Sequence, residues 1–259
     1  LGDMSLVLED LSLALEGRNT PDLAGWFAEL EEARGAWLKV AAKSQAAGKV
    51  GSIGTGAVVQ ALRRSVKGPI NLVNDCGKHH KWVVQQFEAR EDDYIVSSMG
   101  GAAMGIGLAG AIGAALGRPE ARTVAWVGDG GLAMSLAALP TVAEYRLPIL
   151  IVVIDDAAYG VVRNTQVAQV GRTAFAMFDG SGANPDYRLD FTQVANGCGI
   201  PGRTVSDPAQ LDAAFAWANE QQGPVVLNIL SDIGSIHPDG GGVLRTLADN
   251  ARSLVWKAD

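Results

Sequence analysis

Between residues 69 and 230 the chain alternates short apolar runs with stretches of helical periodicity, and this rhythm restricts the fold more than any other feature. PINLVND reads as a strand, KHHKWVVQQFEA as a helix and DYIVSS as a strand. GAAMGIGLAGAIGAALG reads as a helix of small residues, RTVAWVG as a strand, LAMSLAALPTVAEYR as a helix and LPILIVVID as a strand. FTQVANGCG and TVSDPAQLDAAFAWANEQQ then read as helices, and PVVLNIL as a closing strand. Strands that are apolar throughout, separated by helices, predict a parallel sheet covered on both faces. The expected class is therefore α/β, a doubly wound parallel sheet with helices on both faces.

Upstream the rhythm is absent. MSLVLEDLSLALEG predicts an amphipathic helix ended by Gly17, RNTPDL a linker, and LAGWFAELEEARGAWLKVAAKSQ a charged helix. KVGSIGTG reads as a turn, with Thr55 as the cap of a helix AVVQALRRSV. The expected division is a helical segment 1–45, a domain 46–235 and a C-terminal tail 236–259.

Composition narrows the partners. With 48% hydrophobic and 19% charged residues the chain has ample material for a core. A net charge of −7 and no basic run argue against nucleic-acid binding. Cys76 and Cys198 make no disulfide framework, which with no visible signal peptide predicts a reducing, cytoplasmic setting. The uncharged stretch 99–116 is dominated by Gly and Ala and lies inside the alternation, so it predicts a buried helix, not a membrane span.

Two of the strands end in acidic turns. AWVG runs into Asp129 of GDGG, and IVVI runs into Asp155 and Asp156 of IDDAAYG. In open parallel sheets ligands bind beyond the carboxyl ends of the strands, so both turns are expected on one edge. Gly128, Gly130 and Gly131 allow close backbone approach, and a helix N-terminus follows. Carboxylates beside amides suit a magnesium ion bridged to a phosphate. Either turn alone is as well read as a helix cap or a polar turn; together, flanking one strand–helix–strand unit, they favour the ligand site.

These residues resemble the thiamine-diphosphate-binding motif of the acetolactate synthase and 2-oxo-acid decarboxylase group. AAMGIGLAGAIGAALG is similar to that group's GTMGFGLPAAIGA segment, CGKHHKW to GQHQMW, and LPILIVVIDDAAYGVVRNTQ to LPVKVVVLNNGGYGMVRQWQ. The likeness runs from about residue 50 to 232, and residues 1 to about 16 resemble the end of the group's middle domain. It implies thiamine diphosphate and Mg2+ as cofactors and a 2-oxo acid as substrate. Asp129, Asp156 and the Ala158 carbonyl would be the metal ligands. Lys78, His79, Gly128, Gly130, Gly131, Tyr159 and Gly160 would surround the diphosphate. The Ala102 carbonyl and Met104 amide would meet the aminopyrimidine, with the Met104 side chain bending the cofactor into a V. The reaction implied is decarboxylation, with the cofactor stabilising the carbanion and passing the acyl unit to a carbonyl acceptor.

Three departures qualify the likeness. Asp155-Asp156 stands where the group has Asn-Asn, and Lys78 where its acetolactate synthases have Gln; Lys78 is expected to offset the added charge. Thr165 replaces a Trp that favours a larger second substrate, which argues against strict acetolactate synthase specificity. No segment resembles the pyrimidine-binding domain with its catalytic glutamate; Glu144, Glu29, Glu31 and Glu32 read as solvated. The chain is therefore expected to need a partner subunit or domain, in a hetero-oligomer or a homodimer of heterodimers. The alternatives are a cofactor-binding but non-catalytic subunit, and a dinucleotide-binding domain using GIGLAG at 105–110. His80 reads as helix surface in preference to a ligand, His237 as a loop residue in preference to one reaching the site on a tail, Cys76 as a buried structural thiol in preference to one beside the cofactor, and Met134 and Leu136 as core. Tyr159 and Arg163 either line a substrate channel or pack.

Overall fold

The computed structural model describes residues 2–19, 21–44, 48–97, 101–178 and 187–235. The expected tail 236–259, with His237, lies outside them. The described residues divide at 40/41 into two compact units. In the first, α1 (Met4–Leu15) is capped by Asp3, whose carboxylate accepts from the Ser5 and Leu6 amides. The helix α2 (Ala24–Ser44) follows.

The second unit begins with the last residues of α2, from Ala41, and then forms a short hairpin, β1 (Gly48–Lys49) and β2 (Ser52–Ile53), where the sequence suggests only a turn. Next comes α3 (Thr55–Ser65). Thr55 is its first residue, not its cap; Gly54 holds the cap position without a side-chain bond. The buried Thr55 hydroxyl instead pairs with that of Ser231 at 3.0 Å, because a buried hydroxyl needs a partner and one arrives from the far end of the unit.

The elements then alternate: β3 (Ile70–Asn74), α4 (Lys78–Gln86), β4 (Tyr94–Ser97), α5 (Ile106–Gly117), β5 (Arg122–Gly128), α6 (Asp129–Ser135), α7 (Leu139–Glu144) and β6 (Ile149–Asp155). The series closes with α8 (Gly160–Val170), α9 (Phe191–Gly197), β7 (Gly202–Val205), α10 (Leu211–Glu220) and β8 (Val225–Leu230). Among the described residues the main sheet has six strands in the order β4-β3-β5-β6-β8-β7, paired parallel throughout. Every residue of β3 and β6 is buried, as strands covered on both faces must be. Period-two alternation splits the core. Val124, Trp126, Leu150 and Val152 join the cluster with Leu62, Trp82 and Phe215, while Ala125, Val127, Ile151 and Val153 join Leu108, Leu132 and Phe191 on the opposite face.

Several sequence expectations need correction. The small-residue helix starts at Ile106, after Gly105 turns the chain with φ +86. The helix expected at 132–146 begins at Asp129 and breaks at Ser135, whose hydroxyl bonds back to the Gly131 and Leu132 carbonyls; Pro140, lacking an N–H, then starts a new turn. Met134 is 57% exposed, not core, whereas Leu136 does pack against it. The edge strand β7 and the helix α8 were missed because neither carries an apolar run: GRTV buries only Val205, and α8 buries only Gly160. No helix among the described residues is long and apolar enough to cross a membrane.

Candidate cofactor site

The order β4-β3-β5 means the chain crosses back over β3 between β4 and β5, which makes the carboxyl ends of β3 and β5 a switch point. Three acidic turns meet there: Asp75 after β3, Asp129 after β5, and Asp155-Asp156 at the end of β6. Gly128 pairs with Ile154 in register, which sets the second and third turns side by side. A cavity of about 210 Å³ opens above them. Its wall contains all twelve residues singled out in the sequence: Lys78, His79, Ala102, Met104, Gly128, Asp129, Gly130, Gly131, Asp156, Ala158, Tyr159 and Gly160.

Asp129 ties the two turns together. One carboxylate oxygen accepts from the Gly130 amide at 2.7 Å, the other from the Ala158 amide at 3.1 Å. Burial, then the neighbouring Asp156 and Asp155, hold its pKa well above the ordinary carboxylate range. A site that disfavours its own negative charge favours an arriving cation. The members of the Asp-Asp pair have different surroundings. Asp156 pairs with Lys78 at 2.8 Å, both side chains buried. Asp155 faces away from the cavity: Arg188 reaches it through two nitrogens at 2.8 and 3.2 Å, and Asn228 adds a bond at 3.2 Å. Each aspartate of the pair thus has a cation partner of its own.

His79 is buried, and burial first, then His80 and Lys78, lower its pKa to about 3. The ring bonds the Asp75 backbone carbonyl, and its Nε2 is buried without a partner. An orphaned nitrogen on a cavity wall is the mark of a ligand position. The glycines fit the same reading. A Cβ on Gly130 would stand 2.6 Å from the Tyr159 ring, and one on Gly128 would stand 2.9 Å from the His79 ring, so only glycine leaves the backbone open there. Ala157, in the turn after β6, has φ +53, and Ala102 has φ +47. Non-glycine residues in that region are uncommon and cluster at functional sites.

Sequence reasoning missed Asp75. Its carboxylate accepts from the Cys76 amide at 2.8 Å and the Gly105 amide at 3.0 Å, with the Ile106 and Gly107 amides also bonding to it. It thereby occupies the N-terminus of α5 and anchors the turn carrying Ala102 and Met104. The signal was present, since Asp75 follows an apolar strand as Asp129 does. The same carboxylate removes the dinucleotide reading of GIGLAG, because the amides that a pyrophosphate would need are taken. Cys76 is half-buried and lines the cavity, which agrees with the second of its two readings and not with the preferred buried structural thiol. His80 is half-buried, near Ser97 at 3.4 Å. Arg163 is not on the cavity wall. Thr165 bonds the Val161 carbonyl of its own helix. Glu29, Glu31, Glu32 and Glu144 are exposed, as expected.

Fold and cavity together are those of a doubly wound α/β protein with a cavity at its switch point that carries Asp129 and Asp156 on its wall. The sequence signature described as "Thiamine pyrophosphate enzyme, C-terminal TPP binding domain" matches residues 75–229. The chain belongs to this thiamine pyrophosphate enzyme family. It is 27% identical over 234 residues to the acetolactate synthase catalytic subunit, mitochondrial, of Aspergillus candidus, covering 90% of this chain and 33% of that protein. It is 32% identical over 192 residues to the putative thiamine pyrophosphate-containing protein YdaP of Bacillus subtilis (strain 168), covering 72% of this chain and 31% of that one. The fold is also that of the Rhodococcus jostii RHA1 thiamine diphosphate-dependent 4-hydroxybenzoylformate decarboxylase, with a TM-score of 0.61 and 20% identity over 70% of this chain and 33% of that one. The chain spans about a third of the length of the curated relatives it matches.

Proposed function

We propose that this chain is the diphosphate- and Mg2+-holding part of a thiamine-diphosphate-dependent enzyme that decarboxylates a 2-oxo acid and transfers the acyl unit to a carbonyl acceptor. One observation carries the reading: a single cavity gathers two buried carboxylates, an unpartnered imidazole nitrogen and closely approachable glycine backbone at the switch point. The donor set suits a hard cation. Asp129, Asp156 and the Ala158 carbonyl are all oxygen ligands, and Mg2+ completes its shell with phosphate oxygens and water.

In this reading His79 Nε2, Lys78 and the amides of Gly130 and Gly131 hold the diphosphate, with Gly128, Tyr159 and Gly160 as the wall. The Ala102 carbonyl and Met104 amide would hold the aminopyrimidine, with the Met104 side chain packed beneath it. Bound thiamine diphosphate supplies the electron sink for the carbanion left when carbon dioxide departs. The glutamate acting on the pyrimidine comes from a partner subunit or domain, and a hetero-oligomer or homodimer of heterodimers brings it to the cavity. Residues 46–235 are the diphosphate-binding domain, and two free cysteines support a reducing cytoplasmic setting.

Calorimetric titration of thiamine diphosphate with Mg2+ tests binding, and carbon dioxide release from a panel of 2-oxo acids by the native assembly tests turnover. Binding with turnover is expected. Binding without turnover in the full assembly would leave the non-catalytic alternative, and no binding would end the proposal.

A further inference from the structure

The Lys78 ammonium stands on the cavity wall where it opposes a metal. It stands 2.8 Å from Asp156 Oδ2 and also donates to the carbonyls of Asp232 at 3.2 Å and Ile233 at 2.9 Å. Both partners of the ion pair are buried, with side-chain exposures of 5% and 7%. A divalent cation approaching Asp129 and Asp156 therefore meets a carboxylate already neutralised and a fixed positive charge beside it. In a buried setting that repulsion is weakly screened. The position changes character when a diphosphate is present. Lys78 lines the same cavity as His79 Nε2 and the Gly130–Gly131 backbone. An anion there gives the ammonium a partner that compensates for the cation taking its place on Asp156.

We propose that Lys78 is a selectivity residue that makes the site take a divalent cation and a diphosphate together and discriminates against the cation alone. This rests on the cofactor reading above. It goes beyond a general offset of charge, because it assigns opposite signs to two binding events. Loss of the ammonium frees Asp156 and leaves the two candidate ligand carboxylates open to a dication. It also removes a cation that the diphosphate would have met.

The test is a pair of titrations on the full chain in its purified assembly. Mn2+ alone is followed by the relaxation of water protons, and thiamine diphosphate at saturating Mn2+ by calorimetry. Lys78→Gln is expected to bind Mn2+ alone about tenfold more tightly than the unmodified protein, and thiamine diphosphate about tenfold more weakly, the scale of one nearby buried charge. Lys78→Arg, which keeps the charge, should stay near the unmodified protein in both. A merely structural lysine would weaken both events in Lys78→Gln, and that result overturns the proposal, as does unchanged Mn2+ affinity. The unmodified protein gives a second measure if Lys78→Gln fails to fold. Its Mn2+ affinity should rise at least about tenfold when thiamine diphosphate is present, and independent binding of the two refutes the idea. If the unmodified protein binds no thiamine diphosphate at any Mn2+ concentration, the cofactor reading itself fails and the proposal falls with it.

Discussion

Asp75 offers the sharpest test of how this cavity is held together. Its carboxylate is fully buried, and among the described residues it has no ion-pair partner. It is held instead by the Cys76 and Gly105 amides at 2.8 and 3.0 Å and by the next two amides of α5. Burial raises its pKa, while those amides pull it back. Gly131 passes so near that a Cβ there would stand 2.5 Å from Asp75 Oδ2. In Asp75→Ala the amides lose a charged acceptor, at about 1.5–3 kcal/mol for a bond of this type. The α5 N-terminus loses its counter-charge, at about 0.3–1 kcal/mol. Some amides rebond to water, since Gly105 is only half-buried, so a net loss of about 3 kcal/mol is expected. Asp75→Asn keeps one acceptor oxygen and should lose about half of that. The turn bearing Ala102 and Met104 depends on the same bonds, so thiamine diphosphate affinity should fall about tenfold in Asp75→Ala, a modest misplacement by the usual measure. Urea unfolding at unchanged slope gives the stability, and calorimetry the affinity. A loss below about 1 kcal/mol with full cofactor affinity would refute the assignment of Asp75 as the anchor.

Three further outcomes follow from the same geometry. His79 is neutral when folded, with a pKa of about 3 against 6.5 unfolded, so the unfolded chain binds the extra proton between these values and stability falls as pH drops below 6.5. From pH 7 to 5 this amounts to about 2 kcal/mol, and the difference between the unmodified protein and His79→Gln should shrink by that amount in unfolding measured at both values. Ala157→Gly removes a methyl from a residue at φ +53 and should stabilise the protein by up to about 1 kcal/mol in thermal or urea unfolding. Gly130→Ala drives a methyl to 2.6 Å from the Tyr159 ring and 3.3 Å from Met104. Helix propensity gains about 1 kcal/mol against an overpacking cost of about 1–3 kcal/mol, so stability should change little while thiamine diphosphate affinity falls at least about tenfold by calorimetry.

Much of the fold is legible in the sequence because its signals are local. Short, largely apolar stretches mark β3, β5 and β6, and all of their residues but the half-buried Arg122 are buried. Helical periodicity marks α4 and α10. The elements that escape, β7 and α8, have no such pattern: one is a short edge strand and the other a surface helix. The same distinction holds at the site. Asp129 and the Asp155-Asp156 pair are visible because each turn closes an apolar run. Arg188 is not visible, since nothing near it in the chain points to Asp155, which it reaches at 2.8 Å from 33 residues away.

The sequence by itself determines the α/β class, the parallel sheet, and the placing of the acidic turns on one edge. Each follows from side-chain period and from the rule that parallel strands all point the same way. Tertiary structure alone decides the strand order β4-β3-β5-β6-β8-β7, and with it which turns become neighbours. That order brings Lys78 to Asp156, Arg188 to Asp155, and Asp75 to the amides of α5. These contacts join residues tens of positions apart, and their energies depend on burial, which no local window of sequence contains.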